Sequence, residues 1–221
     1  MHRNGPGGWS TGIAFLLLLA LHACVPRQAL SEGEPEAGRL SQGEELAGIQ
    51  STATLDGKDN LRVEVEGTIQ YPFQQVRAVL LDIAGFKKWF PSIGVWQILS
   101  SSPSSALVYG SQNFPWPMRD RDYVVLYVWQ DHTDGRFTLE ATAQSNALPK
   151  PGRGMVRVER MRSLWTLEHA SGGSAIRYVW EGDPGIPLPD ALARYGWQSH
   201  TNAVVEELAR EVARRESPSP P

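Results

Sequence analysis

Residues 115–129, PWPMRDRDYVVLYVW, form the stretch that decides the fold of this chain. The two prolines lack an N–H and fix φ, so no regular element extends across them. The β-branched and aromatic residues that follow favour a strand. Because residues two apart share a face of a strand, Arg121 and Tyr127 point one way, and Asp120 and Asp122 the other. Charges at the start of a strand that is apolar on both faces predict a sheet that passes beside an internal cavity.

The composition is typical of a single globular domain. The chain has 221 residues, of which 41% are hydrophobic, and a formal net charge of −3. This length fits one domain with flanking segments. Nucleic-acid-binding surfaces are strongly basic, and no long basic run occurs here, so we expect no nucleic-acid partner. Trp116, Trp165, Trp180 and Trp197 therefore predict core or lipid contacts rather than base stacking.

The first 24 residues have the pattern of a signal peptide. An apolar run at 13–21 is too short to span a bilayer and ends at Leu21-His22-Ala23-Cys24. This ending resembles the lipobox of bacterial lipoproteins, whose cysteine becomes the lipidated N-terminus. The alternative is cleavage after Ala23, which leaves Cys24 as a free thiol. Both alternatives export the chain, and its single cysteine predicts that it forms no internal disulfide.

The domain boundaries follow from composition. We expect a signal peptide with a lipobox-like end at 1–24, a flexible tether at 25–44, a folded domain at 45–215 and a disordered tail at 216–221. The expected location is the periplasm or cell envelope, with a lipid anchor on Cys24. Val25 is not the aspartate that commonly retains lipoproteins at the inner membrane, so we expect the outer membrane if the host has one.

The folded region combines strand and helix patterns. A helix begins near Pro72 and a second spans about 189–215. The sequence therefore predicts an α+β domain, an antiparallel sheet of seven to nine strands with a terminal helix long enough to cross it. The strands are predicted at 47–55, 61–69, 95–101, 106–112, 120–130, 136–144, 155–168 and 175–182.

The terminal helix carries an apolar stripe with a polar middle. Two polar residues, Ser199 and Asn202, interrupt it. Either they point into a partly filled cavity, or the stripe is rotated toward solvent. The stripe positions recur at three- and four-residue steps and are Leu192, Tyr195, Ser199, Asn202, Val205, Leu208 and Val212.

Four segments resemble, in the right order, segments of START (StAR-related lipid transfer) domains, which belong to the helix-grip or Bet v 1-like superfamily. They are YPFQQV from residue 71, FPWP with RDRDYV at 114–124, LPKPGRGMVR at 148–157 and DPGIP at 183–187. The resemblance covers about residues 45–214. It implies a curved sheet wrapped around the C-terminal helix, with a hydrophobic tunnel between them that binds one lipid or other hydrophobic molecule.

The resemblance also implies which residues face this tunnel. Family positions that commonly do so fall at Tyr127, Glu140 and Tyr178. Each has an ordinary alternative, since Tyr178 can belong to the core, Tyr127 can cap a neighbouring strand and Glu140 can face water. Strand and helix patterns extend the set of candidate ligand-binding residues to Tyr127, Glu140, Tyr178, Arg121, Trp129, Ser199 and Asn202.

The sequence contains no recognisable catalytic or cofactor motif. It has no His-Glu-x-x-His, no cysteine pair, no Gly-x-Ser-x-Gly and no phosphate-binding glycine loop, so we expect no metal and no cofactor. Asp120 and Asp122 could ligate a metal as an i, i+2 pair. The flanking Arg119 and Arg121 instead favour local salt bridges.

Three functions are consistent with the sequence. The first is a non-catalytic carrier or sensor of a lipid or other hydrophobic molecule. It would touch the membrane through its anchor and, transiently, through a gate at 146–154 or 182–187. The second is a cyclase-like cavity enzyme acting on a polyketide or aromatic compound, with Glu140 as its acid or base. The third is an anchored interaction module.

The anchor hypothesis predicts a change in membrane association. Since Cys24 is the single cysteine, Cys24→Ser should move the protein from the membrane fraction to the soluble fraction. Fractionation and the intact mass of the N-terminal peptide measure both effects. A mutant that stays in the membrane fraction, with no acyl mass on the wild-type Cys24, would show that the lipobox interpretation is wrong.

Overall fold

The computed structural model describes residues 45–56, 60–113, 119–149, 154–183 and 189–217. The predicted signal peptide with Cys24, the predicted tether and most of the predicted tail lie outside the described residues. So do the prolines at 115 and 117 and part of each predicted gate segment.

The described residues form nine strands and three α-helices, of which the sequence does not predict a four-residue helix and a separate three-residue strand. The helices are α1 (Phe73–Leu81), α2 (Phe86–Trp89) and α3 (Asp190–Glu216), with a 3-10 turn at Ile83–Gly85 between the first two. The strands are β1 (Leu46–Asp56), β2 (Asn60–Ile69), β3 (Ile93–Ser101), β4 (Ser105–Gln112), β5 (Asp120–Asp131), β6 (Phe137–Ala143), β7 (Met155–Arg157), β8 (Met161–Ala170) and β9 (Gly173–Gly182).

All nine strands belong to one sheet. Its order is β1-β2-β9-β8-β6-β5-β4-β3, and β7 pairs with β5. The pairs along this path are antiparallel. The helix-grip arrangement of a curved antiparallel sheet and a long C-terminal helix is therefore confirmed.

One predicted strand, 155–168, is two strands in the structure. β7 runs parallel to the start of β5, with Asp120, Arg121 and Asp122 opposite Met155, Val156 and Arg157. The pairing of β6 with β5 covers only Val125 to Asp131. The first residues of β5 thus have a free edge on that side, and β7 occupies it before the chain crosses to β8.

The inner face of the sheet is apolar and the outer face of its centre is charged. On β2, Leu61, Val63 and Val65 are fully buried, as alternation predicts. Arg62 and Glu64 lie between them on the outer face and form ion pairs with each other and with β9. The inner face packs against α3, which has 27 residues and is about 40 Å long.

The apolar stripe predicted on α3 is correct only in its C-terminal half. Val205, Leu208 and Val212 are buried, but Leu192 and Tyr195 are 41% and 63% exposed. The N-terminal half instead buries a row at four-residue steps, Ala193, Trp197 and Thr201, of which Trp197 is partly buried and packs against the core. The large indole of Trp197 sets the phase of this half because it buries the most apolar surface.

A buried ion pair joins β5 to β7. Arg157 donates from Nε to Asp122 Oδ1 at 3.0 Å and from Nη2 to Oδ2 at 2.7 Å, and the two side chains are 3% and 1% exposed. The same guanidinium donates to the carbonyls of Ser145, Leu148 and Pro149. The hydrogen bonds with the Asp122 carboxylate raise the pKa of Arg157, and burial opposes that shift.

The partner of Asp122 differs from the sequence prediction of a local salt bridge. Arg121 faces the inner side of the sheet, and Arg119 donates to the carbonyl of Met155 at 3.0 Å. The alternation of side chains along β5 separates Asp122 from Arg121, so its bidentate partner comes from β7. Arg157 thereby holds the carbonyls of Leu148 and Pro149, which lie in the predicted gate segment at 146–154, and that of Ser145 just before it.

Removing one member of this pair should be costly. Arg157→Met leaves the Asp122 carboxylate buried without its cation, and the free energy of unfolding should fall by about 3–5 kcal/mol. The control is Arg162→Met, which removes an ion pair with Glu140 whose side chains are 51% and 41% exposed. That change should cost about 0–1 kcal/mol. Urea denaturation measures both, and equal effects would contradict the assigned role of Arg157.

Candidate ligand-binding cavity

A cavity of about 60 Å³ lies between the inner face of the sheet and the N-terminal half of α3. Nine of its lining residues are aromatic: Phe86, Phe90, Trp96, Tyr123, Tyr127, Trp165, Tyr178, Trp180 and Trp197. The polar lining residues are Gln112, Arg121, Ser163, Asp183, His200 and Thr201. The space is therefore small, and half of its eighteen lining residues are aromatic while a third are polar.

The strand pattern places the sheet side of the cavity. Arg121, Tyr123 and Tyr127 alternate along β5 on its inner face. Gly110 on β4 lies opposite Tyr123, and a Cβ there would overlap the phenol ring. A glycine at this position therefore lets Tyr123 lie flat across β4.

Stacked aromatic pairs form two walls. Trp165 on β8 and Tyr178 on β9 are cross-strand neighbours with ring centroids 4.0 Å apart and an interplanar angle of 17°. Trp180 on β9 stacks on Trp197 of α3 at 4.1 Å and 16°. The second pair joins the sheet to the helix, so it closes the cavity on the helix side.

His200 and Phe90 extend the cavity wall next to Trp197. The His200 ring meets Trp197 edge-on at 5.8 Å and lies 6.5 Å from Phe90. Burial lowers the pKa of His200 below its ordinary value, which is about 6.5. The imidazole is therefore neutral at pH 7.

Arg121 places a positive charge inside the cavity. The residue is 6% exposed, and its guanidinium carbon lies 6.0 Å from the ring centroid of Trp197. Burial lowers the pKa of Arg121, while the negative charge of Asp183 opposes that shift. An arginine stays protonated at neutral pH in proteins. Asp183 also lies 3.7 Å from Arg160, so two arginines share its charge.

Three tyrosines line the cavity together with Arg121. Burial raises the pKa of Tyr178 to about 12, although a hydrogen bond with Ser163 opposes the shift. Burial, with a smaller effect of the other tyrosines, also raises the pKa of Tyr127 well above its usual value. The pKa of Tyr123 is raised for the same reasons. All three phenols are neutral at pH 7 and can donate or accept hydrogen bonds.

The structure brings together three of the sequence-predicted site residues. Arg121, Tyr127 and Tyr178 all line this cavity. Trp129 lies on the same strand face but beyond the cavity, where its Nε1 donates to the carbonyl of Pro103 at 3.1 Å. Trp129 is therefore a packing residue at the far end of β5.

The prediction that Glu140 faces the tunnel is wrong. On β6, Leu139 and Ala141 are the buried neighbours, so alternation puts Glu140 on the outer face. There it accepts a hydrogen bond from Arg162 Nε at 2.6 Å, and this bond lowers the pKa of Glu140. Glu140 cannot act on a ligand in the cavity.

The two polar helix residues also lie outside the cavity. Ser199 is exposed and Asn202 is half-buried, and neither belongs to the cavity lining. The reason is the helix phase set by Trp197, which turns Thr201 and Val204 toward the cavity instead. Ser199 therefore faces solvent and does not point into a partly filled cavity.

Several lining residues were missed, although the sequence held signals for them. Tyr123 shares the strand parity of Tyr127, and Trp180 shares that of Tyr178. Thr201 follows from Trp197 at one helical turn. Trp96 and Asp183 carried no such signal, since their positions depend on how β3 and the end of β9 approach the helix.

Other kinds of site are not seen in the part of the chain that the structure describes. Among those residues, no three His, Cys, Asp or Glu side chains are grouped so that they could hold a metal ion. No helix within the described ranges is both long enough and apolar enough to cross a membrane.

The family follows from a match of residues 64–213 to the START domain. This chain belongs to that family. It is 26% identical over 119 residues to the Uncharacterized protein PA1579 of Pseudomonas aeruginosa, covering 53% of this chain and 58% of the relative. It is 27% identical over 108 residues to the human Phosphatidylcholine transfer protein, covering 47% and 50%. The chain thus matches little more than half the length of these curated relatives.

A solved structure supports the fold. The STAR-related lipid transfer protein (fragment 25–204) of Xanthomonas axonopodis has a TM-score of 0.67 and 24% identity, covering 75% of this chain and 94% of that one. At this identity the likeness defines the helix-grip fold and leaves the ligand to be argued from the cavity.

Proposed function

We propose that the domain binds a lipid or other hydrophobic small molecule in the cavity and carries or senses it at the cell envelope without catalysing a reaction. The observation that carries the proposal is the aromatic-rich cavity between the sheet and α3, in which Arg121, Tyr127 and Tyr178 are among the polar side chains. Sites of this kind hold a ligand by apolar contact and orient it with a few polar groups. Membership of the START family and the similarity to the human Phosphatidylcholine transfer protein and the STAR-related lipid transfer protein of Xanthomonas axonopodis support the same ligand class.

Binding requires the aromatic walls to move. The cavity of about 60 Å³ is well below the roughly 300–1,000 Å³ of sites for drug-sized ligands. Burial of about 500 Å² of apolar ligand surface gains on the order of 12 kcal/mol before ordering costs. That gain can offset the separation of one stacked ring pair, which is worth about 0.5–1.5 kcal/mol beyond its burial.

We also propose that the protein is exported and attached to the envelope through Cys24. Residues 25–44 number 20 and span up to about 70 Å when fully extended. That reach would let the domain meet a membrane transiently while it loads or releases a ligand. The segments around 146–154 and 182–187 remain the proposed gate.

A cavity enzyme is the second candidate, and His200 favours it. With Glu140 on the outer face, the neutral imidazole of His200 is the lining group best suited to accept a proton near pH 7. A carrier returns its ligand unchanged, an enzyme converts it, and an interaction module contains none. Mass spectrometry of compounds extracted from protein purified from its native host, before and after incubation, separates the three.

Loss of a cavity hydroxyl should weaken binding of the compound recovered in this way. Tyr127→Phe and Tyr178→Phe keep the ring and remove the hydroxyl, so any lost ligand hydrogen bond should lower affinity by about 5- to 150-fold. The control is Tyr195→Phe, which makes the same change at an exposed position of α3 and should have no effect. Calorimetry measures the affinities. If both cavity variants bind the compound as tightly as the wild type does, these hydroxyls form no hydrogen bond with it.

A further inference from the structure

The cavity lining contains more aromatic rings than aliphatic side chains, which favours a ring-containing ligand over an acyl chain. Nine of its lining residues are aromatic, and three, Val158, Met161 and Val204, are aliphatic. Aromatic walls bind a flat ring favourably, because offset stacking buries a large apolar area and avoids the repulsion of face-to-face quadrupoles. A flexible acyl chain is stabilised only by the burial of its apolar surface, and it loses conformational entropy when it is held in the cavity.

The small volume of the cavity also favours a compact, planar ligand. At about 60 Å³, the cavity must expand for any ligand, and the displacement grows with ligand size. A compact planar molecule can stack between Trp180 and Trp197 once these two parallel rings, now 4.1 Å apart, separate. Two acyl chains would require many more of the packed rings to leave their positions.

The single lining arginine supplies a place for a negative group. Arg121 is buried, lies near Trp197 and interacts with Asp183. The Asp183 side chain is 41% exposed and is also shared with Arg160, so water and a second cation moderate its charge. A ligand carboxylate beside Arg121 would accept charge-assisted hydrogen bonds, which are the strongest polar contacts that this lining offers.

We propose that the cavity selects a compact, planar, ring-containing molecule with one carboxylate, which stacks on the aromatic walls and is oriented by Arg121. Arg121 is then the residue that determines specificity for the acidic group. This inference rests on the proposed function, because it names the ligand class of the same cavity.

Three probes separate ring from charge in the full-length protein at pH 7. Naphthalene-2-carboxylate is planar and anionic, naphthalene-2-methanol is planar and neutral, and dodecanoate is anionic and flexible. We expect naphthalene-2-carboxylate to bind about 10- to 150-fold more tightly than the alcohol, as for a hydrogen bond to a charged group, and more tightly than dodecanoate. Isothermal titration calorimetry measures all three.

Variants then assign the charge preference to a residue. Arg121→Gln should make the acid and the alcohol bind equally. Arg162→Gln, the same change on the outer face of the sheet, should keep the wild-type ratio. A ratio retained in Arg121→Gln overturns the role of Arg121. If that variant does not fold, an acid-to-alcohol ratio near one in the wild type overturns it equally.

The failure of this inference differs from the failure of the proposed function. Binding of dodecanoate, or of phosphatidylcholine from vesicles, at least as tight as that of naphthalene-2-carboxylate would overturn the planar ligand class while the cavity remained a lipid site. No binding of any probe or of phosphatidylcholine would count against the proposed function itself.

Discussion

The stack of Trp197 on Trp180 joins α3 to the sheet beside the cavity, and both rings belong to its lining. Its 4.1 Å separation fixes the phase of the N-terminal half of the helix, and that phase decides that Thr201 and Val204 face inward while Ser199 faces water. The same contact brings Trp197 to Arg121 and His200. An apolar contact between helix and sheet therefore determines where Thr201 and His200 lie in the cavity and which ring lies beside Arg121.

The two halves of α3 are held by different physical means. Near its C-terminus, Arg215 binds Asp82 at 2.7 Å and Glu211 at 2.9 Å, while Val205, Leu208 and Val212 are buried. The N-terminal half rests on aromatic contacts and on Gln198, which donates to Ser51 on β1. Because the apolar contacts of the first half border the cavity, a ligand can replace them with equivalent contacts. The C-terminal half has no such substitute, so opening should begin at the N-terminal end of the helix.

Much of the fold was readable from periodicity, but long-range partners were not. Most of the strands and the helices α1 and α3 follow from apolar spacing and turn residues, and the parity of β5 correctly placed Arg121 and Tyr127 together. Sequence reasoning failed where a distant element decided the outcome. Arg157 paired with Asp122 because β7 fills the free edge of β5, and Glu140 faced outward because Leu139 and Ala141 took the inner positions of β6. The phase of α3 was misjudged in its first half because Leu192 and Tyr195 fitted the period as well as Ala193 and Trp197 did.

Hydrogen exchange of α3 tests most directly the claim that the cavity beneath its N-terminal half is the ligand site. Protein as purified from its native host is compared by mass spectrometry with the same protein after its bound compounds have been extracted with solvent. We expect exchange in the extracted protein to be faster at residues 190–204 and unchanged at residues 205–216, because the part of α3 that lines the cavity ends at Val204. Equal change in both halves, or change confined to elements away from the cavity such as β1, would contradict this account.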